Sequence, residues 1–193
     1  MIKMPNRRLQ RTRSGGLRPP TRAAEPERMH YSRLAATRIA RSLFAVTRWA
    51  RRQPDVRAAA VVGSWARGTA RRASDIDFLF LSARPKARRA SAHWAASLSS
   101  CAFGSSLRRR MVRRYGVAWS LHAQLSAGRE LELTFVPHSW AALHPVDAGT
   151  ERVVSDGMLV LHDPTLALSR LRRGIVHNSL LEPTLCERGS ALR

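Results

Sequence analysis

Apolar positions change their period along this chain, and the changes mark its elements. From His30 to Arg52, Leu34, Ile39, Leu43, Val46 and Ala50 recur at helical spacing while most of the arginines fall between them. That is an amphipathic helix, stopped by Gln53-Pro54, whose apolar face is read as packing on a sheet. Val56 to Val62 is a short buried strand rich in Val and Ala, broken by Gly63-Ser64. Trp65 to Thr69 can form one helical turn before a basic loop, and Asp75 to Leu81 is the second strand. Ala87 to Leu98 has the character of a second helix after Pro85. Residues 99–116 are ambiguous, because Arg108–Arg110 with Arg113 and Arg114 could end a helix or line a groove. Val117 to Gln124 and Leu131 to Val136 read as antiparallel strands about the turn at Gly128. Met158 to His162 is one more strand, and Pro164 opens a last helix over Thr165 to Arg173. The pattern predicts an α/β (α+β) fold: a small mixed, mostly antiparallel sheet with helices on one face.

Composition sets the bounds. The chain has 193 residues, 44% of them hydrophobic, which suits one ordinary core with tails. Residues 1–28 lack apolar periodicity and carry eight basic and two acidic side chains, so they are read as a disordered basic tail. The domain proper is expected over 29–165, with a C-terminal helix and tail over 166–193. Lys and Arg total 34 against 13 Asp and Glu, a formal charge of +21, and all but Lys3 and Lys86 are arginine. This excess favours polyanions such as nucleotides or nucleic acid, although an Ala- and Arg-rich composition alone can produce it. Cys101 and Cys186 have no metal-ligand spacing, no run is apolar enough to span a bilayer, and no secretory h-region is present. A cytoplasmic location without membrane association is the expectation.

Against this background the acids stand out. Between Val56 and Arg129 the chain holds fourteen basic residues and only two acidic ones, Asp75 and Asp77, followed by Glu130 and Glu132. On a strand, residues two apart point to one face, so Asp75 and Asp77 project side by side and need a countercharge. Arg71 or Arg72 could supply it as a salt bridge; a divalent cation is the other answer, since hard cations bridge carboxylates to phosphates. Gly63-Ser64, directly after a strand, favours the cation, because glycine lets backbone N–H groups approach an anion and the serine adds a donor.

Gly63-Ser64, then Gly68, then Ser74-Asp75-Ile76-Asp77, with a Val-rich strand before and a Phe-Leu-Phe-Leu run after, resembles the motif of the polymerase-beta-type nucleotidyltransferase superfamily. Leu131-Glu132-Leu133-Thr134 is similar to the later catalytic strand of its aminoglycoside-adenylyltransferase branch, and residues 150–164 resemble a segment that closes many small members. The resemblance implies a third carboxylate at Glu132, with Glu130 the runner-up. It implies two Mg²⁺ ions held by Asp75, Asp77 and Glu132, a nucleoside triphosphate (usually ATP) held near Gly63, Ser64 and Arg67, and Ser74 bracing the turn. The reaction implied is transfer of a nucleoside monophosphate to an acceptor hydroxyl.

The acceptor is left open, as a small molecule or a protein. Drug-modifying relatives carry a helical acceptor domain after the core, whereas this chain ends soon after Arg173 and is closer in size to minimal members, some of which modify a partner toxin. A protein partner or a second copy could complete the site. Readings of other classes are a non-catalytic nucleic-acid-binding protein, supported by the charge and the Arg108–Arg114 cluster, and an antitoxin. The histidines show no ligand spacing, and Trp65, Trp94, Trp119 and Trp140 are read as packing residues.

Overall fold

The computed structural model describes residues 24–186 except 72, 91 and 92, with side chains between 38 and 177 apart from those of 72, 89–92 and 109. The chain divides into two units, residues 1–37 and 38–193. The expected basic tail lies outside the described residues as far as position 23; from Ala24 the backbone is already helical, within α1 (Ala24–Arg51). The second unit holds the whole sheet.

Its centre is a six-stranded sheet. The strands are β1 (Val56–Val62), β2 (Ile76–Ser82), β3 (Leu107–Tyr115), β4 (Ala118–Leu125), β5 (Glu130–Val136) and β6 (Met158–His162). Their order is β3-β4-β5-β2-β1-β6, and every pairing is antiparallel except that of β2 with β5. A parallel pair needs a long crossover, which here contains α3 (Pro85–Ala90), α4 (His93–Phe103) and the β3–β4 hairpin. The short α2 (Ser64–Arg67) links β1 to β2; a 3₁₀ turn (His138–Ala141), α5 (Ala148–Ser155) and α6 (Ala167–Cys186) complete the chain.

Period-two alternation decides what each face meets. Ile76, Phe78 and Phe80 of β2 join Leu131, Leu133 and Phe135 of β5 and Trp119 and Leu121 of β4 in one buried cluster, capped by Val46, Trp49 and Ala50 of α1 and Trp94, Ala95 and Leu98 of α4. Phe135 is its centre: its ring stacks on Phe80 at 4.8 Å and Trp119 at 4.9 Å, and meets Trp94 edge-on at 4.9 Å. Trp94 and Trp119 thus pack the core, as their sequence context suggested. On the opposite face, Leu79, Leu81, Val136, Ala58 and Ala60 bury against Val154 of α5 and Leu168, Leu171 and Ile175 of α6. This adds a second apolar layer, near the β1–β6 side, to the single helical layer expected. The rest of that face is left to polar side chains.

Two segments differ from the sequence reading. The ambiguous stretch 99–116 splits: α4 runs on to Phe103, Gly104 takes φ 58°, and the arginine run becomes β3, paired with β4 from Leu107 to Tyr115. A run of arginines has no apolar period, so the hairpin to the apolar β4 is what fixes it as a strand. Helix α5 was not foreseen, although its cap was visible: Asp147 accepts from the backbone N–H groups of Gly149 and Thr150.

Because Phe135 is fully buried among three aromatic rings, Phe135→Ala is expected to cost about 3–5 kcal/mol. Chemical denaturation monitored by tryptophan fluorescence reads this directly; a loss below about 1 kcal/mol would contradict the packing described.

Candidate active site

Asp77 is the second residue of β2, on the polar side of that alternation, and in the parallel register it stands opposite Glu132 of β5. Leu79 and Val136, further along the same face, are apolar and buried, so the carboxylates gather at the strand ends where β1 turns into α2. Glu132 in turn pairs across β4 with His122, whose Nε2 lies 3.6 Å from Glu132 Oε1. Thr134, two residues on, donates its hydroxyl to Glu132 Oε1 at 3.3 Å and shares a 2.6 Å hydrogen bond with Ser120. The Leu-Glu-Leu-Thr sequence therefore does two things: its leucines enter the core, and its polar residues form one hydrogen-bonded row beside Asp77.

Gly63 explains why Asp77 can lie where it does. With φ 69°, it brings the backbone so close that a Cβ there would stand 2.9 Å from Asp77 Oδ2. Any other residue would be strained in conformation and would push into the carboxylate. Its N–H, however, is donated to Gly157 O at 3.1 Å, so Gly63 supplies space next to Asp77 rather than the anion-binding N–H expected of it.

Asp77 is half-buried, its Oδ1 has no hydrogen-bond partner among the described residues, and its pKa is pushed up to about 7. Burial is the main cause; the charges of Asp75, Glu132 and Asp156 add to it in that order. Asp156, just past α5, is the member of this group that sequence reading missed. The only trace of it was its place in the closing segment. Asp75 is exposed, one residue before β2 rather than within it.

Two cavities open on the polar face, and Glu132 lines both. The larger, about 820 Å³, contains Gly63, Asp77, Thr134, Trp140, Asp147 and Asp156 among its walls; the second, about 570 Å³, contains Asp75, Arg110, Arg113, His122 and Glu130. All four charged side chains of the larger cavity are acidic, in a chain of net charge +21. Glu130, the runner-up, is exposed and faces only the second cavity.

The remaining expected residues take supporting positions, and neither Ser64, Arg67 nor Ser74 lines these cavities. Arg67 is engaged by both the carbonyl and the carboxylate of Asp156, and a Cβ on Gly157 would come 2.7 Å from Arg67 Cγ. This latch ties α2 to the turn between α5 and β6. Ser74 braces its turn as expected, accepting from the Arg71 N–H at 2.8 Å while its own N–H donates to Arg71 O. Arg129 donates to the Ser74 carbonyl at 3.4 Å and lies 5.5 Å over the Trp65 ring, clamping α2 to the entrance of β2.

Among the described residues, no three His, Cys, Asp or Glu side chains are drawn together closely enough to hold a metal ion. The donor set nevertheless suits a hard divalent cation. An oxygen-only group with an unpartnered buried oxygen, in a cavity whose charges are all negative, needs a positive ion before an anionic ligand can enter.

The family model of the nucleotidyltransferase domain matches residues 45–111. Over that span the chain is similar to a nucleotidyltransferase domain, which supports the polymerase-beta-type nucleotidyltransferase superfamily and, in general terms, nucleotidyl transfer. The matched span includes Gly63, Ser64, Ser74, Asp75 and Asp77 and ends within β3, so Glu132 joins the site through the β2–β5 register rather than through the match. No curated protein matches the chain by sequence. Among the described residues, no helix is long and apolar enough to cross a membrane.

The raised pKa of Asp77 has a signed consequence. Its folded value of about 7 lies above the ordinary 3.8, so its contribution to stability is fully present below about pH 4 and is lost as pH rises through 7. Without divalent cations, Asp77→Asn is expected to raise the melting temperature by several degrees (about 3–6 °C) at pH 8 and by less than about 1.5 °C at pH 4. Equal shifts at both pH values, measured by differential scanning fluorimetry, would show that Asp77 ionises normally.

Proposed function

We propose that this chain transfers a nucleoside monophosphate from ATP or another nucleoside triphosphate to an acceptor hydroxyl, with Asp75, Asp77 and Glu132 as its catalytic carboxylates. The observation that carries this reading is the Asp77 carboxyl: half-buried, unpartnered at Oδ1, surrounded by three further acids and set against the bare backbone of Gly63. A structural carboxylate in such a place would be matched with an arginine, as Asp55 is with Arg88. In a protein with so many arginines to spare, an unmatched acid points to a positive ligand.

Asp77, with Asp75 and Glu132 near it, would hold Mg²⁺. When bound, the metal neutralises these acids, screens the triphosphate and stabilises charge on the attacking and departing oxygens. The protein's own groups do the rest. Glu132, which lines both cavities, would accept the proton of the acceptor hydroxyl as its oxygen bonds to the α-phosphorus and the bond to pyrophosphate breaks. Thr134, held by Ser120, orients that carboxylate through its hydroxyl. The larger cavity has apolar walls at Leu79, Val117, Trp140 and Val153, which suit a base or another flat apolar group and exclude water from it. Arg67 acts at one remove, holding α2 against the α5–β6 turn.

A thermal-shift panel of the four common nucleoside triphosphates, each with and without Mg²⁺, tests this reading. At least one nucleotide should stabilise the wild type by about 2 °C or more in the presence of Mg²⁺ and should fail to stabilise Asp75→Ala/Asp77→Ala. Equal shifts in the two proteins, or shifts independent of Mg²⁺, would overturn the proposal.

A further inference from the structure

The strand β3 has no explanation in the core. It is an edge of the sheet, and from Arg108 to Tyr115 every described side chain is exposed, on both faces. Arg108, Arg110, Arg113 and Arg114 lie within seven residues, with Arg109 among them in sequence. None of the four makes an ion pair within 4 Å among the described residues, and the β4 residues opposite, from Leu125 to Ala118, include no acid. Adjacent like charges on one strand repel, a cost that a surface strand has no packing reason to bear. Interleaved with them are Met111, 51% exposed, and Tyr115, 51% exposed, which share the polar face of the sheet with Arg113. Arg110, Met111 and Arg113 also wall the second cavity, together with Asp75, Glu130 and Glu132.

We infer that β3 binds a single-stranded nucleic acid, running along the edge strand into the second cavity. Arginines without ion pairs along an extended strand match a phosphate backbone, and the exposed Met111 among them and Tyr115 at their end offer unstacked bases an apolar seat. A duplex hides its base faces and would use only the charge. An acidic protein strand could pair with the open edge of β3, but would have no use for the exposed ring of Tyr115, which lines the larger cavity. The inference concerns binding and does not depend on nucleotidyl transfer. If transfer also holds, the bound strand brings its terminal hydroxyl to the side of Glu132.

The test is fluorescence anisotropy of a fluorescein-labelled uridine 12-mer over a series of KCl concentrations. It compares the full-length chain, R108Q/R110Q/R113Q/R114Q, and a control that removes the same charge elsewhere, R152Q/R170Q/R172Q/R173Q. The β3 variant should bind at least about tenfold more weakly, and the slope of log affinity against log salt should fall by about 2–3. The control should stay within about threefold of wild type, and the titrations are run without Mg²⁺ or nucleoside triphosphate, which separates this result from the fate of the transfer reading. Tyr115→Ser, a single exposed change, should weaken binding severalfold with the salt slope unchanged, and keeps the test open if the quadruple variant does not fold. Equal losses in the β3 and control variants would overturn the inference. So would a duplex that binds as tightly as the single strand, a poly-glutamate that competes as well as unlabelled oligonucleotide, or an unchanged affinity in Tyr115→Ser.

Discussion

Asp77 is a carboxyl that its own fold disfavours. Burial raises its pKa, three acids around it raise it further, and Gly63, just past the end of β1, has no side chain so that the carboxyl can fit at all. Much of the surrounding structure can be read as the means of keeping it there. The alternation of β2 sends Ile76, Phe78 and Phe80 into one core and leaves Asp77 on the other face; the parallel register with β5 puts Glu132 beside it; and the α5–β6 turn brings in Asp156 and holds α2 through Arg67. A stable, charge-poor site of the same shape would be simple to build. That the chain keeps four acids there instead is the physical reason for proposing cation-dependent chemistry in the cavity.

The two faces of the sheet divide the labour. The aromatic cluster about Phe135 fixes the strands so that side chains on the opposite face keep their register. On that opposite face the apolar layer of α5 and α6 covers only part of the surface, and the uncovered part carries Asp77, Glu132, His122, Ser120 and Thr134. Charge is sorted as well. The charged side chains of the larger cavity are all acids, whereas the second cavity sets Arg110 and Arg113 of β3 beside Asp75, Glu130 and Glu132.

Most of the fold was legible because strands buried on one or both faces write their period plainly: Val56–Val62, the run after Asp77 and Leu131–Val136 all fall in the sheet where their pattern put them. Asp77 and Glu132 were legible for a related reason, since isolated acids inside apolar strands in an Arg-rich chain have few structural uses. What was not legible depended on contacts. β3 has no apolar period of its own and becomes a strand only by pairing with β4. Asp156 is a loop acid whose closeness to Asp77 is set by the β1–β6 pairing, and the Gly63 N–H is spent on Gly157 for the same reason. Arg129 could not be distinguished from its many neighbours until Trp65 lay beneath it.

The central claim is that a divalent cation binds at Asp77 and brings a nucleoside triphosphate with it. Its most direct test is a crystal structure of the chain grown with Mn²⁺ in place of Mg²⁺ and a non-hydrolysable nucleoside triphosphate, read by anomalous scattering. The account predicts an anomalous peak within coordination distance of an Asp77 oxygen, roughly 2–2.3 Å, with triphosphate oxygens on its far side. A nucleotide bound without a metal peak at Asp77, or with the metal held elsewhere, would contradict it.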